Sequence, residues 1–426
     1  MKNIYLIIFL FSGFTQAQIV DIPDPYFKIR LLTYCCDLDG DGTYDGDADT
    51  NDDGEIQISE AESVYMLATG SPGISSLEGI QYFTNLEYLG CNDNQIEILD
   101  LSQNVNLKRL NCKSNNLKYL NISKNINLEY LNCSFNDNLL NLDVSQNPNL
   151  IELQCNYMPL TSLDISNNSN LEILLCNDNQ ISSLDVSQNP NLEVLRCDDN
   201  QIANLDVTQN LALIDLNCGD NPLNSLNVSQ NINLEYLRCY ENNLTSIDVS
   251  QNIQLNGLIC PNNQITNIDV SQNPNLLDLF FNDNQLISLN IKNGNNNSIN
   301  RMRAFNNSNL FCINVDDESA SYQDCEDIPP YYGWCKDDWA IYSEDCGLST
   351  EDFSLNSFSL YPNPTQDLLN IESQEPFDLV SIYSIEGVLV KETTNTSVNV
   401  SELPSGMYFV QIISEEKKVA KKFIKS

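Results

Sequence analysis

The chain has 426 residues, more than one ordinary compact core holds, and carries 59 acidic residues against 20 Lys and Arg, for a formal charge of −39. That balance argues against nucleic acid and anionic membrane as partners, since both need a basic surface. Histidine is absent, which excludes Ser-His-Asp and Cys-His catalysis and histidine metal sites.

The first element is a secretory leader. Lys2 precedes an apolar stretch over residues 4–14, and Thr15-Gln16-Ala17 offers a cleavage site. Residues 1–17 are therefore expected to be a signal peptide. The stretch falls short of the roughly 20 residues of a spanning helix, and no later segment is apolar enough to cross a bilayer.

Residues 18–63 form an acidic module. Phe27, Ile29, Leu31 and Leu32 have helical spacing and are expected to cover the open end of the repeats that follow. Residues 37–62 contain eleven Asp or Glu and no Lys or Arg. Within them Asp49, Asn51, Asp53, Gly54, Glu55 and Glu60 occupy positions 1, 3, 5, 6, 7 and 12 of a loop. Oxygens at 1, 3, 5 and 12 surround a hard cation, the Gly permits the sharp turn, and position 7 supplies a carbonyl. The segment resembles an EF-hand loop, and also dockerin-like and thrombospondin-type-3-like loops. The resemblance implies Ca2+, expected as a structural staple. Asp37, Asp39 and Asp41, followed by Gly42, open a second, poorer loop whose twelfth position is Ala48. Asp45 and Asp47 would complete an irregular second calcium site.

A repeat of period 21 occupies residues 64–316. Units begin at Leu86, Leu107, Leu128, Leu150, Leu171, Leu192, Leu213, Leu234, Leu255 and Leu276, with one extra residue near Asn136-Asp137-Asn138. Each reads L-x-x-L-x-C-x-x-N-x-[LI]-x-x-[LI]-[DN]-[VIL]-[STK]-x-N, and residues 64–85 form a degenerate first unit. A fixed period in this range means a solenoid whose coils bury their apolar faces against one another. The pattern resembles the leucine-rich repeat (LRR), and the degenerate first unit that of internalin-like proteins. The resemblance implies a parallel β-sheet on a concave face. Asn94, Asn115, Asn179, Asn200, Asn221, Asn242, Asn263 and Asn284 form an inward ladder, expected to bond backbone groups of their own and adjacent coils.

Nine cysteines from Cys91 to Cys260 share one repeat position, and Phe281 replaces them in the tenth unit. The site wants an apolar filler. Strands about 4.8 Å apart exceed the roughly 3.8 Å between Cβ atoms that a disulfide prefers, so nine buried, reduced thiols are expected. Adjacent Cys35 and Cys36 fall outside the pattern. The second half of each unit carries another ladder: Asp100, Asp143, Asp164, Asp185, Asp206, Asp248 and Asp269. Two readings account for it, Asx turns that accept backbone N–H groups or a row of cation sites, and the frequency of capping Asp favours the first.

Outward strand positions vary between units. They include Tyr88, Arg109, Tyr130, Arg196, Tyr236, Arg238, Tyr240 and Phe280, residue types enriched at binding hot spots. On an acidic background such arginines would attract acidic groups. Ordinary drift on a solvated face would produce the same variation.

Cys312, Cys325, Cys335 and Cys346 lie beyond the array and are expected to form two disulfides. Residues 312–317 and 342–346 resemble the C-terminal cap of bacterial LRR proteins, which implies the pairs Cys312–Cys346 and Cys325–Cys335 in a cap over 317–346. A linker, 347–355, follows. Residues 356–426 alternate as short strands at 380–383, 388–391, 407–413 and 419–424. Leu360-Tyr361-Pro362-Asn363-Pro364, Tyr383-Ser384-Ile385-Glu386-Gly387, Leu403-Pro404-Ser405-Gly406-Met407-Tyr408 and the closing Lys421-Lys422-Phe423-Ile424-Lys425-Ser426 resemble the type A C-terminal sorting domain of the type IX secretion system. That implies a small all-β sandwich and export to the surface of a Gram-negative bacterium, with the secretion machinery as partner. Nothing pairs a nucleophile with a base. The expectation is a non-enzymatic surface protein binding a protein or glycan; the alternatives are a structural spacer and, more remotely, a polysaccharide-acting enzyme.

Overall fold

The computed structural model describes residues 18–426 except 71–72, 321, 323–324, 326–332, 347–357, 374–376, 386–387 and 415–416. The signal peptide and the linker thus lie outside the described residues. Two units are described separately, residues 1–170 and 171–426.

The first unit opens with the α-helix Pro25–Leu31, which starts at a Pro, the residue that best fits a first helical turn. Asp24 caps it by accepting from the Tyr26 and Phe27 amides at 2.9 and 3.1 Å. Its other oxygen accepts from the Ser75 amide and hydroxyl and the Ser76 amide. Asp24 therefore ties the helix to the degenerate first repeat. Phe27 and Leu31 are fully buried, and the Phe27 ring packs 6.5 Å from Phe83. Phe27 and Leu31 thus turn inward as expected, whereas Ile29, predicted to join them, is exposed and Leu32 is half-buried.

Cys36–Asp37 pairs antiparallel with Met66–Ala68, and every later strand of this sheet within the unit is parallel. Tyr88–Gly90, Arg109–Asn111, Tyr130–Asn132 and Glu152–Gln154 follow in register, so Leu89, Leu110, Leu131 and Leu153 stack directly. The second unit repeats this from Ile173–Leu175 to Gly333–Cys335. Its inner row is Leu174, Leu195, Leu216, Leu237, Leu258, Leu279, Met302 and Trp334. A second sheet joins Asn267–Asp269, Ser288–Asn290, Cys312–Asn314 and Ile341–Ser343. The cap predicted over 317–346 is therefore partly one more coil, adding a strand to each sheet. Disulfides Cys312–Cys346 and Cys325–Cys335 pin it.

Asn221 shows how the coils hold one another. Its Nδ2 donates to the carbonyls of Cys197, Cys218 and Gly219, and its Oδ1 accepts from the Ile202 amide. Asn94 and Asn115 repeat this in the first unit. Asn136 and Asn307 extend the ladder beyond the predicted set. A second, fully buried ladder includes Asn104, Asn125 and Asn147, and Asn210, Asn231, Asn252 and Asn273. Asn210, for example, donates to the Val186 and Asn189 carbonyls of the previous coil. The repeat cysteines are buried free thiols, and burial pushes Cys91, Cys133 and Cys176 up to about 12.

Residues 358–426 form two antiparallel sheets. Ser359–Tyr361, Leu368–Glu372 and Ser397–Asn399 make one; Leu389–Thr393, Leu379–Ser384, Gly406–Ser414 and Lys417–Lys425 make the other. Leu369, Val380, Ile382, Val398, Val410 and Phe423 are among the core side chains. Phe409 points away from that core, yet is buried, its ring 4.6 Å from Phe311 and 6.2 Å from Trp339.

Candidate functional site

The acidic loops fold by one internal pattern used twice. Asp37 is fully buried. Its Oδ1 accepts from the Asp39 and Gly40 amides and its Oδ2 from Gly42. Asp49 accepts from Asp53 with Oδ1 and from Gly54 with Oδ2, at 3.1 and 2.8 Å. Gly42 and Gly54 sit at φ +89° and +81°, the left-handed region a side chain disfavours. Both predicted loops thus have the same turn.

Their carboxylates are arranged differently. Oxygens of Asp37, Asp39 and Asp45 lie within 4.8 Å of one another, the one such acidic group among the described residues. Asp41, expected in that set, instead accepts from the Thr43 amide and hydroxyl. Those bonds hold its carboxyl below the usual range. Asp45, the predicted irregular completion, takes the third place. In the other loop Gln57 donates to Asp53 and accepts from Asn51. Glu60 accepts from the Gln57 amide and the Thr50 hydroxyl, and Glu55 pairs with Lys28 at 2.7 Å. The Glu55 carbonyl is the group its loop position assigns to a cation. An all-oxygen donor set of this kind fits a hard divalent ion.

On the strand face of the first unit, Tyr88, Arg109 and Tyr130 occupy one register column. The Arg109 guanidinium lies 4.5 Å from the Tyr130 ring centroid. In the next turn Phe135 and Tyr157 stack at 4.4 Å, both at positive φ, with Lys113 5.0 Å from the Phe135 ring.

The second unit carries a charged lattice. Asp215 accepts from Arg196 at 3.0 Å and from Arg238 at 2.6 Å. Tyr236 lies 5.4 Å from the Arg238 guanidinium. Tyr240 lies across Gly219, where any Cβ would stand 2.4 Å from its ring, and its hydroxyl donates to Asp198 at 3.3 Å. Asp278 holds Arg301 through two 2.6 Å bonds, and Arg301 and Arg303 flank Phe280 at 5.5 and 4.8 Å. Arg196 and Arg238, expected to attract acidic groups, already share one carboxylate, that of Asp215. Sequence reasoning missed Asp215, Asp278, Arg301 and Arg303. The signal lay down the columns: Asp215 stands between Val194 and Tyr236, and Asp278 beside Arg301.

Two acidic rows sit in different local settings. In the predicted Asp ladder each Oδ1 accepts the amide two residues on, as Asp164 does from Ser166 and Asp206 from Thr208. Bonds from those Ser and Thr residues hold Asp164 and Asp206 below the usual range. These are Asx turns, the first of the two readings. Asp178, Asp199 and Asp220 instead take the positive-φ position of their coils. Burial, the Asp220 carboxyl and neighbouring charges push Asp199 up to about 6.

Residues 359–426 match the secretion system C-terminal sorting domain family. No curated protein matches the chain. Among solved structures, the functional domain of InlJ from Listeria monocytogenes, which includes a cysteine ladder, is 23% identical, covering 87% of this chain and 92% of that one at TM-score 0.42. A TDR receptor is 20% identical, covering 61% and 52% at TM-score 0.54. The LRR ectodomain of the Arabidopsis thaliana receptor kinase GASSHO1/SCHENGEN3 is 21% identical, covering 61% and 40% at 0.50. At such identities the likeness to the last two shows the fold alone. The chain is a leucine-rich-repeat solenoid with a small β domain after it. That last domain is a type IX sorting tail, so the protein is secreted or displayed at the cell surface. No helix among the described residues is long and apolar enough to cross a membrane.

Proposed function

We propose that this is a surface LRR binding protein that recognises a protein or glycan through the strand face of its second unit. One observation carries the reading. Core positions of successive coils stay Leu, Cys and Asn, while one outward patch assembles Arg196, Asp215, Arg238 and Tyr236 into a bonded lattice, and Tyr240 is held by Asp198. Held this way, the aromatic and guanidinium groups lose little rotamer freedom on binding, which favours hot-spot behaviour. The carboxylate between two arginines also suits polar ligands such as sugar hydroxyls better than a bare anion.

The same pairing favours one alternative. Arginines that already share a carboxylate also suit a spacer without a specific ligand. Binding of the exported protein to glycan and surface-protein arrays separates the two. Loss of a ligand in the Tyr236→Ala, Tyr240→Ala double variant, with an unchanged melting curve, supports recognition. Absence of any ligand for the folded parent supports the spacer. The reading assigns no catalytic residue; turnover of a polysaccharide or peptide by purified protein would overturn it.

The reading includes one Ca2+ in the loop of Asp49, Asn51, Asp53, Glu55 and Glu60, and a second at Asp37, Asp39 and Asp45. Bound there, calcium would neutralise carboxylates crowded beside the helix that closes the solenoid. The role is that of a staple.

A further inference from the structure

Cys35 and Cys36 belong to neither the repeat ladder nor the two disulfides of the cap. Both are buried, at 1% and 0% exposure. Their sulfurs lie 2.8 Å apart. Non-bonded carbon atoms settle at about 3.5–4.0 Å, and sulfur is larger, so this is no ordinary packing distance. It lies between contact and the roughly 2.05 Å of a covalent S–S bond. The backbone brings the sulfurs together. In a regular strand adjacent side chains point to opposite faces; here the amides of both Cys35 and Cys36 donate to the one carbonyl of Gly46, at 2.9 and 3.0 Å. That shared acceptor folds the strand end so that both thiols turn inward. The repeat cysteines differ, each standing on its own coil one repeat from the next.

We propose that Cys35 and Cys36 form a vicinal disulfide in the exported protein. The sorting tail takes the chain out of the reducing cytoplasm, into the setting where disulfides persist. The oxidant is a disulfide-bearing thiol oxidase of the cell envelope. One cysteine thiolate attacks a sulfur of the oxidant's disulfide and expels one of its thiolates. The second cysteine then attacks the mixed disulfide, closes the Sγ–Sγ bond and expels the oxidant's other thiolate. The two cysteine protons end on the oxidant, which takes up two electrons and becomes a dithiol. Exchange requires an accessible thiolate. Both sulfurs are shielded in the folded cap. The bond therefore forms before the cap closes and is protected afterwards. It would fix the chain where Cys36 pairs with Leu67, immediately before Asp37 of the second loop.

The test is peptide mass mapping of the full chain exported to the periplasm, denatured in iodoacetamide without reductant. The expected result is a peptide spanning Cys35 and Cys36 that carries no carbamidomethyl group and weighs about 2 Da less than its reduced form. Of the eleven free cysteines of the structure, the other nine are labelled. Reduction before alkylation places two labels on that peptide. Two labels without prior reduction would overturn the proposal, as would a Cys35 or Cys36 linked to any third cysteine. No variant needs to fold for this reading. A Cys35→Ser, Cys36→Ser double variant adds a second one. The cap should lose hydrogen-exchange protection at residues 36–46 while the repeats keep theirs; unchanged protection would show that the bond does not constrain the loop.

Discussion

Replacing Asp24 tests whether the N-terminal helix is held by one side chain. One carboxylate oxygen accepts from two helix amides, and the other accepts from three donors of Ser75 and Ser76. Loss of an N-cap costs about 1 kcal/mol. Charge-assisted bonds to the two serines contribute about 1.5–3 kcal/mol in general, and partial exposure of Ser75 and Ser76 argues for the lower end. Asp24→Ala should therefore cost about 3 kcal/mol, a fall in Tm of roughly 6–12 °C for a unit of this size. Asp24→Asn keeps the shape but offers one carbonyl oxygen, so it satisfies the helix or the serines and loses about half as much. The pH dependence has a definite sign. Burial raises the Asp24 pKa, but the bonds from Ser75, Phe27 and Ser76 outweigh it, leaving the value below the ordinary 3.8. The stabilisation is thus complete above about pH 4 and is lost as pH falls through the folded value. Thermal melts of parent and both variants at pH 7 and pH 3, with hydrogen exchange at residues 26–31, measure this. An Asp24→Asn protein as stable as the parent at pH 7 would refute the reasoning, as would equal destabilisation at both pH values.

Chelation with EDTA should lower the melting temperature and excess Ca2+ should restore it, because an ion bound only by the folded state stabilises it by mass action; an Asp37→Asn, Asp49→Asn variant should be insensitive to EDTA. Asn221→Ala orphans the Ile202 amide and the carbonyls its Nδ2 bonds; it should cost about 3 kcal/mol, read by denaturant melts. Asp199→Asn should stabilise the protein above about pH 6 and have no effect at pH 4. The folded pKa of about 6 exceeds the ordinary 3.8, so the parent's stabilisation by this group is complete at low pH and lost as pH rises through 6. Phe409→Ala should red-shift tryptophan emission, since Phe409 covers Trp339, while the sorting domain keeps its β circular dichroism because Phe409 lies outside its core.

The solenoid was legible because its physics is periodic. A residue that recurs every 21 positions meets the same environment each time, so Leu, Cys and the first Asn ladder announce their burial. The second Asn ladder recurs as regularly, at Asn210, Asn231 and Asn252, but Asn also favours turns, and the sequence does not show which Asn points inward. The loops were legible as loops, since Gly42 and Gly54 must take positive φ. Which carboxylates converge was not. That depends on the hairpin joining Cys36 to Gly46, which brings Asp45 into the cluster and leaves Asp41 to Thr43. The charged lattice was hidden for another reason. Asp215 and Arg238 lie 23 residues apart, adjacent only once the coils are stacked in register.

The stacking also explains how the fold carries so much negative charge. Two carboxylates about 5 Å apart repel by about 1 kcal/mol in water, and a ladder multiplies the cost. Each Asp of the Asx-turn row accepts an amide that the turn would otherwise leave to solvent, a charge-assisted bond of comparable or larger worth. Asn121 and Asn290 interrupt the row and donate to Asp100 and Asp269 of neighbouring coils, replacing repulsion by a hydrogen bond. On the strand face the device is different: Asp215 and Asp278 are each placed beside arginines. The positive-φ row has neither remedy at Asp199 and Asp220, and the structure responds by raising the pKa of Asp199. The solenoid thus sets arginines against the acidic strand positions Asp215 and Asp278 and backbone donors against the Asx-turn row. Its stability should therefore rise with ionic strength chiefly through Asp199 and Asp220 of that third row, since Asp178 and Asp283 accept bonds from Asn177 and Asn282.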